Sequence, residues 1–211
     1  SVFADRSYLK HWKSDLALWT RGVATDPTSR FNLTQYAYFL RQAGEYEAAF
    51  ATAQTVLDQQ PPNPSFYDYI QLTTARLEQV DIWLAQDQLD PIDQTLALVF
   101  STAPQPTNQY EQVALDNLWQ RAYERLSLRY QQSNEPDLAI EAMRLGRIAV
   151  PGRACSFTTN LSVLLYVSGQ KQPALAELES VADASQSENT PLCVMVHFYL
   201  AQLYTEAGRP D

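Results

Sequence analysis

The segment from Gly44 to Phe50, Gly-Glu-Tyr-Glu-Ala-Ala-Phe, constrains the fold of this chain more than any other feature. A glycine that ends one helix and an aromatic residue that opens the next are typical of a tight turn between two antiparallel helices. Ala49 is small enough to let the helices approach closely, and Pro61 stops the second helix. Such a hairpin leaves an apolar face uncovered, so it predicts neighbouring hairpins that cover it.

Apolar residues recur at helical spacing on both sides of this turn, which predicts a hairpin from Phe31 to Pro61. Pro27 lies 34 residues before Pro61, and this interval is the period of a known helical repeat. The pattern resembles the tetratricopeptide repeat (TPR), in which each unit consists of a helix A and a helix B. The resemblance implies an all-α, right-handed helical-hairpin solenoid of about four to five helix pairs.

Weaker copies of the hairpin follow along the chain. A second unit is predicted to begin near Arg121 and to end at Pro151, with Asn134 in the turn position usually given to glycine. A third unit turns at Gly169. Residues 66–86 and 91–103 predict a degenerate pair that has no turn glycine.

Both ends of the chain predict half-units. Residues 7–27 resemble a helix B alone, and the segment that starts at His197 resembles a helix A alone. We therefore expect a single TPR-like repeat domain over residues 1–211 that is a fragment of a longer protein.

The opening segment adds a second resemblance. Arg6, Trp12, Asp15 and Trp19 follow the pattern Arg-x-x-x-x-x-Trp-x-x-Asp-x-x-Leu-Trp. It is similar to the junction between the last membrane helix and the TPR tail of bacterial polytopic membrane glycosyltransferase-like proteins. The resemblance implies a membrane-embedded full-length protein whose TPR tail is extracytoplasmic (periplasmic) and tethered to the inner membrane.

The charge balance argues against a nucleic-acid partner. The chain has 15 Lys and Arg residues against 24 Asp and Glu residues, a formal net charge of −9. The densest basic stretch, Arg121, Arg125 and Arg129, is interleaved with Glu124 on one predicted helix. This spacing indicates a solvated helix face rather than a phosphate-binding strip.

Residues for catalysis or metal binding do not form a recognisable motif. The two histidines, His11 and His197, are far apart in sequence, and there is neither a Gly-x-Ser-x-Gly elbow nor a glycine-rich phosphate loop. We expect no enzyme activity, no metal and no cofactor. The tryptophans fall at helical spacing, which favours packing over ligand contact; they are Trp12, Trp19, Trp83 and Trp119.

The TPR resemblance implies a ligand-binding groove on the concave face, lined by the second, fifth, ninth and twelfth residues of each helix A. A mixed aromatic and arginine lining suits an extended peptide or a glycan. The alternative is that Phe31 and Tyr38 only cover neighbouring helices. The predicted lining is Phe31, Thr34, Tyr38 and Arg41; Arg121, Glu124, Leu128 and Gln131; and Ser156, Thr159, Val163 and Tyr166.

The two cysteines, Cys155 and Cys193, fall near the start of helix A in successive units. Because consecutive A helices lie side by side, their first turns could bring the two residues within the span of a disulfide. An even number of cysteines suits an oxidising compartment. The alternative is two buried free thiols in a cytoplasmic protein.

These observations predict a non-catalytic protein-protein interaction scaffold, the extracytoplasmic tail of a membrane glycan-handling protein. Its expected partner is a protein or peptide. Two alternatives stay open: a glycan-binding or substrate-positioning module of a glycosyltransferase, and a free-standing cytoplasmic TPR scaffold.

Overall fold

A computed structural model describes residues 15–185 and 194–206. Over these residues the regular structure consists of ten α-helices and one short 3-10 turn. The helices are α1 (Asp15–Thr25), α2 (Arg30–Gln42), α3 (Tyr46–Asp58), α4 (Phe66–Ala85), α5 (Asp90–Ser101), α6 (Gln109–Gln132), α7 (Pro136–Ala149), α8 (Ala154–Val167), α9 (Lys171–Ser185) and α10 (Val194–Glu206), and the 3-10 turn is Pro151–Arg153.

The helices form four successive hairpins, α2/α3, α4/α5, α6/α7 and α8/α9, preceded by α1 and followed by α10. Neighbouring helices pack from α1 to α5 and from α7 to α10, and α2 also packs on α4, as α8 does on α10. A contact between A helices in successive positions, as between α2 and α4, is the relation found in a TPR array. The all-α hairpin fold is as predicted, and α1 and α10 fall where a helix B and a helix A were predicted near the two ends.

One backbone geometry ends the first helix of every hairpin. Gly44, Asp87, Asn134 and Gly169 have positive φ values of 82°, 56°, 58° and 79°. The next residue in each turn donates its backbone N–H to the carbonyl five residues earlier, at 2.8 to 2.9 Å. This is the Schellman motif, which satisfies helix-end carbonyls. The left-handed conformation of Asn134 confirms the prediction, and Asp87 supplies it in the pair that lacks the glycine.

The start of α6 corrects the predicted second unit. The helix begins at Gln109, well before Arg121, because the preceding residues cap it. The backbone N–H of Glu111 donates to Asn108 Oδ1 at 3.0 Å, and the Glu111 carboxylate accepts from the backbone N–H of Thr107 at 2.6 Å. These reciprocal bonds satisfy free N–H groups at the helix start.

The chain divides into two compact units, residues 1–118 and 119–211. We call them the N-terminal unit and the C-terminal unit. Each has its own apolar core, and the predicted single domain over residues 1–211 stays a prediction. The cores include Leu33, Ala37, Ala53, Val56 and Ala75 in the first unit, and Ile140, Met143, Phe157, Leu161 and Leu165 in the second.

Several predictions fall on other parts of the sequence. Arg6, Trp12, His11 and Cys193 lie outside the described residues. Of the helices that are described, none combines the length and the apolar character needed to cross a membrane.

Candidate binding face on the A helices

The aromatic residues predicted to line the groove of the N-terminal unit are partly exposed. Phe31 is 45% exposed and Tyr38 is 37% exposed. The Phe31 ring packs edge-on against Trp19 of α1, with ring centroids 5.5 Å apart. The guanidinium carbon of Arg41 lies 5.4 Å from the centre of the Tyr38 ring. Both aromatic residues therefore contact neighbouring side chains as well as solvent.

Arg41 is held in ion pairs within the N-terminal unit, and its place in a binding groove stays a prediction. Its Nε donates to Glu78 Oε2 at 2.9 Å, and its Nη2 lies 3.3 Å from Asp81 Oδ2. The side chains of Glu78 and Asp81 are only 1% and 8% exposed. Removing one member of a buried ion pair leaves an uncompensated charge. Arg41 is therefore needed for the packing of α2 on α4.

Thr34 is buried, and its hydroxyl donates to the carbonyl of Arg30 at 2.7 Å. It does not reach a ligand-accessible surface, contrary to the prediction. Arg30 in turn pairs with Asp68 of α4. Two charged contacts therefore join α2 to α4.

The equivalent contact in the C-terminal unit, between α6 and α8, uses amides and a hydroxyl. Gln120 Nε2 donates to Ser156 Oγ at 2.9 Å and to Glu124 Oε1 at 3.0 Å. Asn160 Nδ2 donates to the same Glu124 oxygen at 3.3 Å. Glu124 is the one carboxylate in this set, and two amide donors orient it.

Two cavities of about 300 and 130 Å³ lie on the A helices of this unit. They share Val163 of α8 and Tyr199 of α10. We call the face that they form the C-terminal groove. The larger cavity is lined by Glu124, Ser127, Gln131, Met143, Thr159, Asn160, Val163, Leu164 and Tyr199, and the smaller by Ser162, Val163, Tyr166, Leu178, Tyr199, Gln202 and Leu203.

Several predicted groove residues line these cavities, namely Glu124, Gln131, Thr159, Val163 and Tyr166. Three others, Arg121, Leu128 and Ser156, do not, although Leu128 is exposed on α6.

The other nine lining residues were not predicted from the sequence, and Asn160 and Tyr199 are two of them. Asn160 directly follows a counted position, and Tyr199 lies on α10, where no groove positions were counted. Lys171 adds a cation beside the groove, because its Nζ lies 5.2 Å from the centre of the Tyr166 ring.

Tyr123 packs behind the groove, where its ring meets that of Phe157 edge-on at 6.2 Å. Burial raises the pKa of the Tyr123 hydroxyl, since the charged phenolate loses its hydration there. The Tyr123 hydroxyl therefore stays neutral at physiological pH, and its ring packs against Phe157.

Neither a metal site nor the disulfide is established. Across residues 15–185 and 194–206, no group of three or more His, Cys, Asp or Glu side chains could hold a metal ion. Cys155 is half-buried at the start of α8 and packs against the cluster around Leu178, Val196 and Leu200. Because Cys193 lies outside the described residues, the disulfide stays a prediction.

Similarity to solved structures extends over nearly the whole chain. The crystal structure of TTC0263, a thermophilic TPR protein in Thermus thermophilus, aligns with 96% of this chain and 95% of its own at a TM-score of 0.54 and 15% identity. The structure of Naa15/Naa10 bound to HypK-THB aligns with 97% of this chain and 34% of its own at a TM-score of 0.34 and 12% identity. No family model and no curated protein matches the sequence. The likeness to TTC0263, together with the packing of the hairpins, shows that this chain has the all-α fold of a TPR-like solenoid.

Proposed function

We propose that this protein is a non-catalytic interaction scaffold that binds an extended peptide segment of a partner protein in the C-terminal groove. The observation that carries the proposal is the pair of cavities joined by Val163 and Tyr199 on the A helices. Open space on this face is where an array of helix pairs can receive a ligand without disturbing its own packing.

The chemistry of the lining favours an internal peptide segment. The amides of Gln131 and Asn160 and the hydroxyl of Thr159 can exchange hydrogen bonds with a peptide backbone. Tyr166 and Tyr199 offer apolar ring surface to its side chains. Arginine and lysine are missing from the described lining of both cavities, so no side chain of this lining offers a cation to a terminal carboxylate, and Lys171 lies beside it on the Tyr166 ring.

A matched pair of variants tests the site. Val163 is 37% exposed and lines both cavities, whereas Val167, one turn further along α8, is 71% exposed and lines neither. A peptide selected from a library of extended sequences should bind the wild type with shifts of amide resonances from α6, α8 and α10. Val163→Arg should abolish this binding, and Val167→Arg should leave it intact. Equal binding by both variants would reject the groove.

A glycan is the second candidate ligand, because Tyr166 and Tyr199 could stack against sugar rings in the smaller cavity. The same titration with neutral oligosaccharides separates the two ligands. Saturable binding of an oligosaccharide that Val163→Arg removes, with no binding from the peptide library, would replace the peptide proposal with the glycan one.

We also propose that the chain is the extracytoplasmic tail of a membrane glycan-handling protein. The proposal rests on the resemblance of the segment around Trp12 and Trp19 to a membrane-to-repeat junction, and on the cysteine pair. Mass spectrometry of unreduced, denatured protein prepared under oxidising conditions tests the second point. Two alkylatable thiols, at Cys155 and Cys193, would argue against the bridge and favour a cytoplasmic scaffold.

A further inference from the structure

A third cavity, of about 310 Å³, lies in the N-terminal unit, where the first turns of α3 meet the last turn of α4. It is on the helix B side of its hairpin, so its lining does not include the residues predicted for the groove. We call it the α3–α4 pocket. Its lining is Tyr46, Glu47, Phe50, Ala51, Ile82, Trp83, Gln86 and Gln88.

Aromatic rings from two helices form the walls of this pocket. Tyr46 and Phe50 are one turn apart on α3, so they share a helix face. Phe50 and Trp83 contact each other across the two helices, with centroids 5.6 Å apart and ring planes inclined by 55°. All three side chains are half-buried, so part of each ring borders the cavity rather than the core. Inclined rings present more than one aromatic face to a single occupant.

The charges around the pocket are negative. The exposed Glu47 lines it, and no hydrogen bond or ion pair engages this carboxylate among the described residues. The C-terminal end of the 20-residue α4 adds negative partial charge, and Glu47 offsets the positive end of α3. Lysine and arginine are missing from the described lining.

Glu78 and Asp81 also lie on α4, but both pair with Arg41 and neither lines the pocket. The carboxylate that lines the pocket beside the rings is that of Glu47. This combination selects for one class of ligand, a cation that is weakly hydrated, because aromatic faces attract cations and a poorly hydrated cation loses little on leaving water.

We propose that the α3–α4 pocket binds a quaternary ammonium group. The methyl groups contact Tyr46, Phe50 and Trp83, and the positive charge faces Glu47. The group can belong to a trimethylated lysine of a partner protein or to a choline-type molecule, since both present the same trimethylammonium head. The site is independent of the C-terminal groove.

The test is an NMR titration of the whole chain with choline and with 3,3-dimethylbutan-1-ol, its neutral isostere. Choline should shift the indole N–H resonance of Trp83 saturably, and it should bind at least about tenfold more tightly than the isostere. The resonance is assigned with Trp83→Phe. A peptide that carries trimethyllysine, compared with its unmodified form, then distinguishes a protein partner from a small molecule.

Two charge variants keep the test valid even where replacing an aromatic ring unfolds the chain. Glu47→Gln should weaken choline binding several-fold and leave binding of the isostere unchanged. Glu45→Gln is the matched control, because Glu45 is exposed, makes no side-chain cap bond and does not line the pocket, so it should change neither. Val163→Arg should leave choline binding unchanged. Equal affinities for choline and its isostere, or no effect of Glu47→Gln, would overturn the proposal.

Discussion

The contact between successive A helices is built differently in the two units of this chain. In the N-terminal unit, α2 and α4 are joined by charges, Arg30 with Asp68 and Arg41 with Glu78, at sequence separations of 38 and 37. In the C-terminal unit, α6 and α8 are joined by amides. Gln120 reaches Ser156 and Asn160 reaches Glu124, both at a separation of 36.

The difference shows that one repeat scaffold can join its A helices either by buried ion pairs or by amides that border open cavities. The backbone brings residues about one repeat apart into contact in both units, so side chains decide what happens there. In the N-terminal unit, Arg41 forms a buried ion pair between α2 and α4. The shorter amides of the C-terminal unit leave the two cavities beside them.

Removing Arg41 should have the largest effect on the stability of the charged contact. Arg41→Ala leaves the carboxylates of Glu78 and Asp81 buried without a partner, so the free energy of unfolding should fall by about 3 to 5 kcal/mol. The matched control is Arg144→Ala, because Arg144 is exposed and lies 3.9 Å from Glu141. It should cost less than about 1 kcal/mol. Urea denaturation measures both, and equal losses would show that the charged contact is not special.

The next largest effect tests how closely a helix B approaches the helix A that follows it in each unit. Gly146 and Gly22 occupy the same position, five residues before Pro151 and Pro27. A Cβ on Gly146 would lie 2.3 Å from the ring of Phe157, whereas one on Gly22 would lie 3.5 Å or more from its nearest neighbour, Asn32.

Gly146→Ala should therefore destabilise the protein by about 2 to 3 kcal/mol through overpacking. Gly22→Ala should stabilise it by about 0.5 to 1 kcal/mol, because alanine loses less entropy in a helix and fits the space. Thermal unfolding of both variants gives the sign. A stabilising Gly146→Ala would mean that Phe157 can move aside.

A smaller effect separates the charged contact of Asp68 from the neutral bond between Gln120 and Ser156 by its pH dependence. Asp68 accepts hydrogen bonds from the hydroxyl and the backbone N–H of Ser65, which lower its pKa, and its pairing with Arg30 lowers it further. Because the folded pKa is depressed, this stability is present above the unfolded pKa of about 3.9 and is lost as the pH falls through the folded pKa.

Asp68→Asn should therefore cost about 1 kcal/mol at pH 7, as the loss of a cap does, and the gap from wild type should narrow below pH about 4. Ser156→Ala removes the bond from Gln120 in the C-terminal unit and should cost about 1 kcal/mol at either pH. Unfolding free energies measured at pH 7 and pH 3 decide this. A gap for Asp68→Asn that is as large at pH 3 as at pH 7 would contradict the carboxylate's role.

The smallest effect concerns the turns, where the two units should not differ. Each has one turn with glycine and one without, at Asp87 and at Asn134. Asp87→Gly and Asn134→Gly should each change the free energy of unfolding by less than about 1 kcal/mol, because glycine gains left-handed freedom but loses chain entropy on folding. A large loss in either variant, measured by denaturation, would show that its side chain holds the turn by contacts.

The hairpins could be predicted from the sequence because their signals are local. The apolar stripe and the turn at Gly44 lie within one short stretch of chain, so periodicity sufficed. The partner of Arg41 could not be predicted in the same way, because Glu78 lies one repeat away in a pair without a turn glycine. Its register depends on the left-handed Asp87, a residue type that adopts this conformation only occasionally.

The predicted residues of the candidate site show the same limit: some line cavities and others do not. Glu124 and Val163 were predicted as groove residues from the weaker copies of the repeat, and they line cavities. Thr34 and Arg41 came from the clearest unit, and yet Thr34 is buried and Arg41 is held in ion pairs. Counting repeat positions identifies which residues lie where the A helices contact each other, but the neighbouring side chains determine whether space remains there.

The four identical turns bear on how such chains diverge. What is repeated is a backbone torsion and two hydrogen bonds, whereas the residue that adopts the torsion is glycine in two turns and Asp87 or Asn134 in the others. The residue at this position can therefore vary among glycine, asparagine and aspartate while the backbone geometry is kept. Anyone who counts repeats by their turn glycines would find half of the four turns in residues 15–185 of this chain.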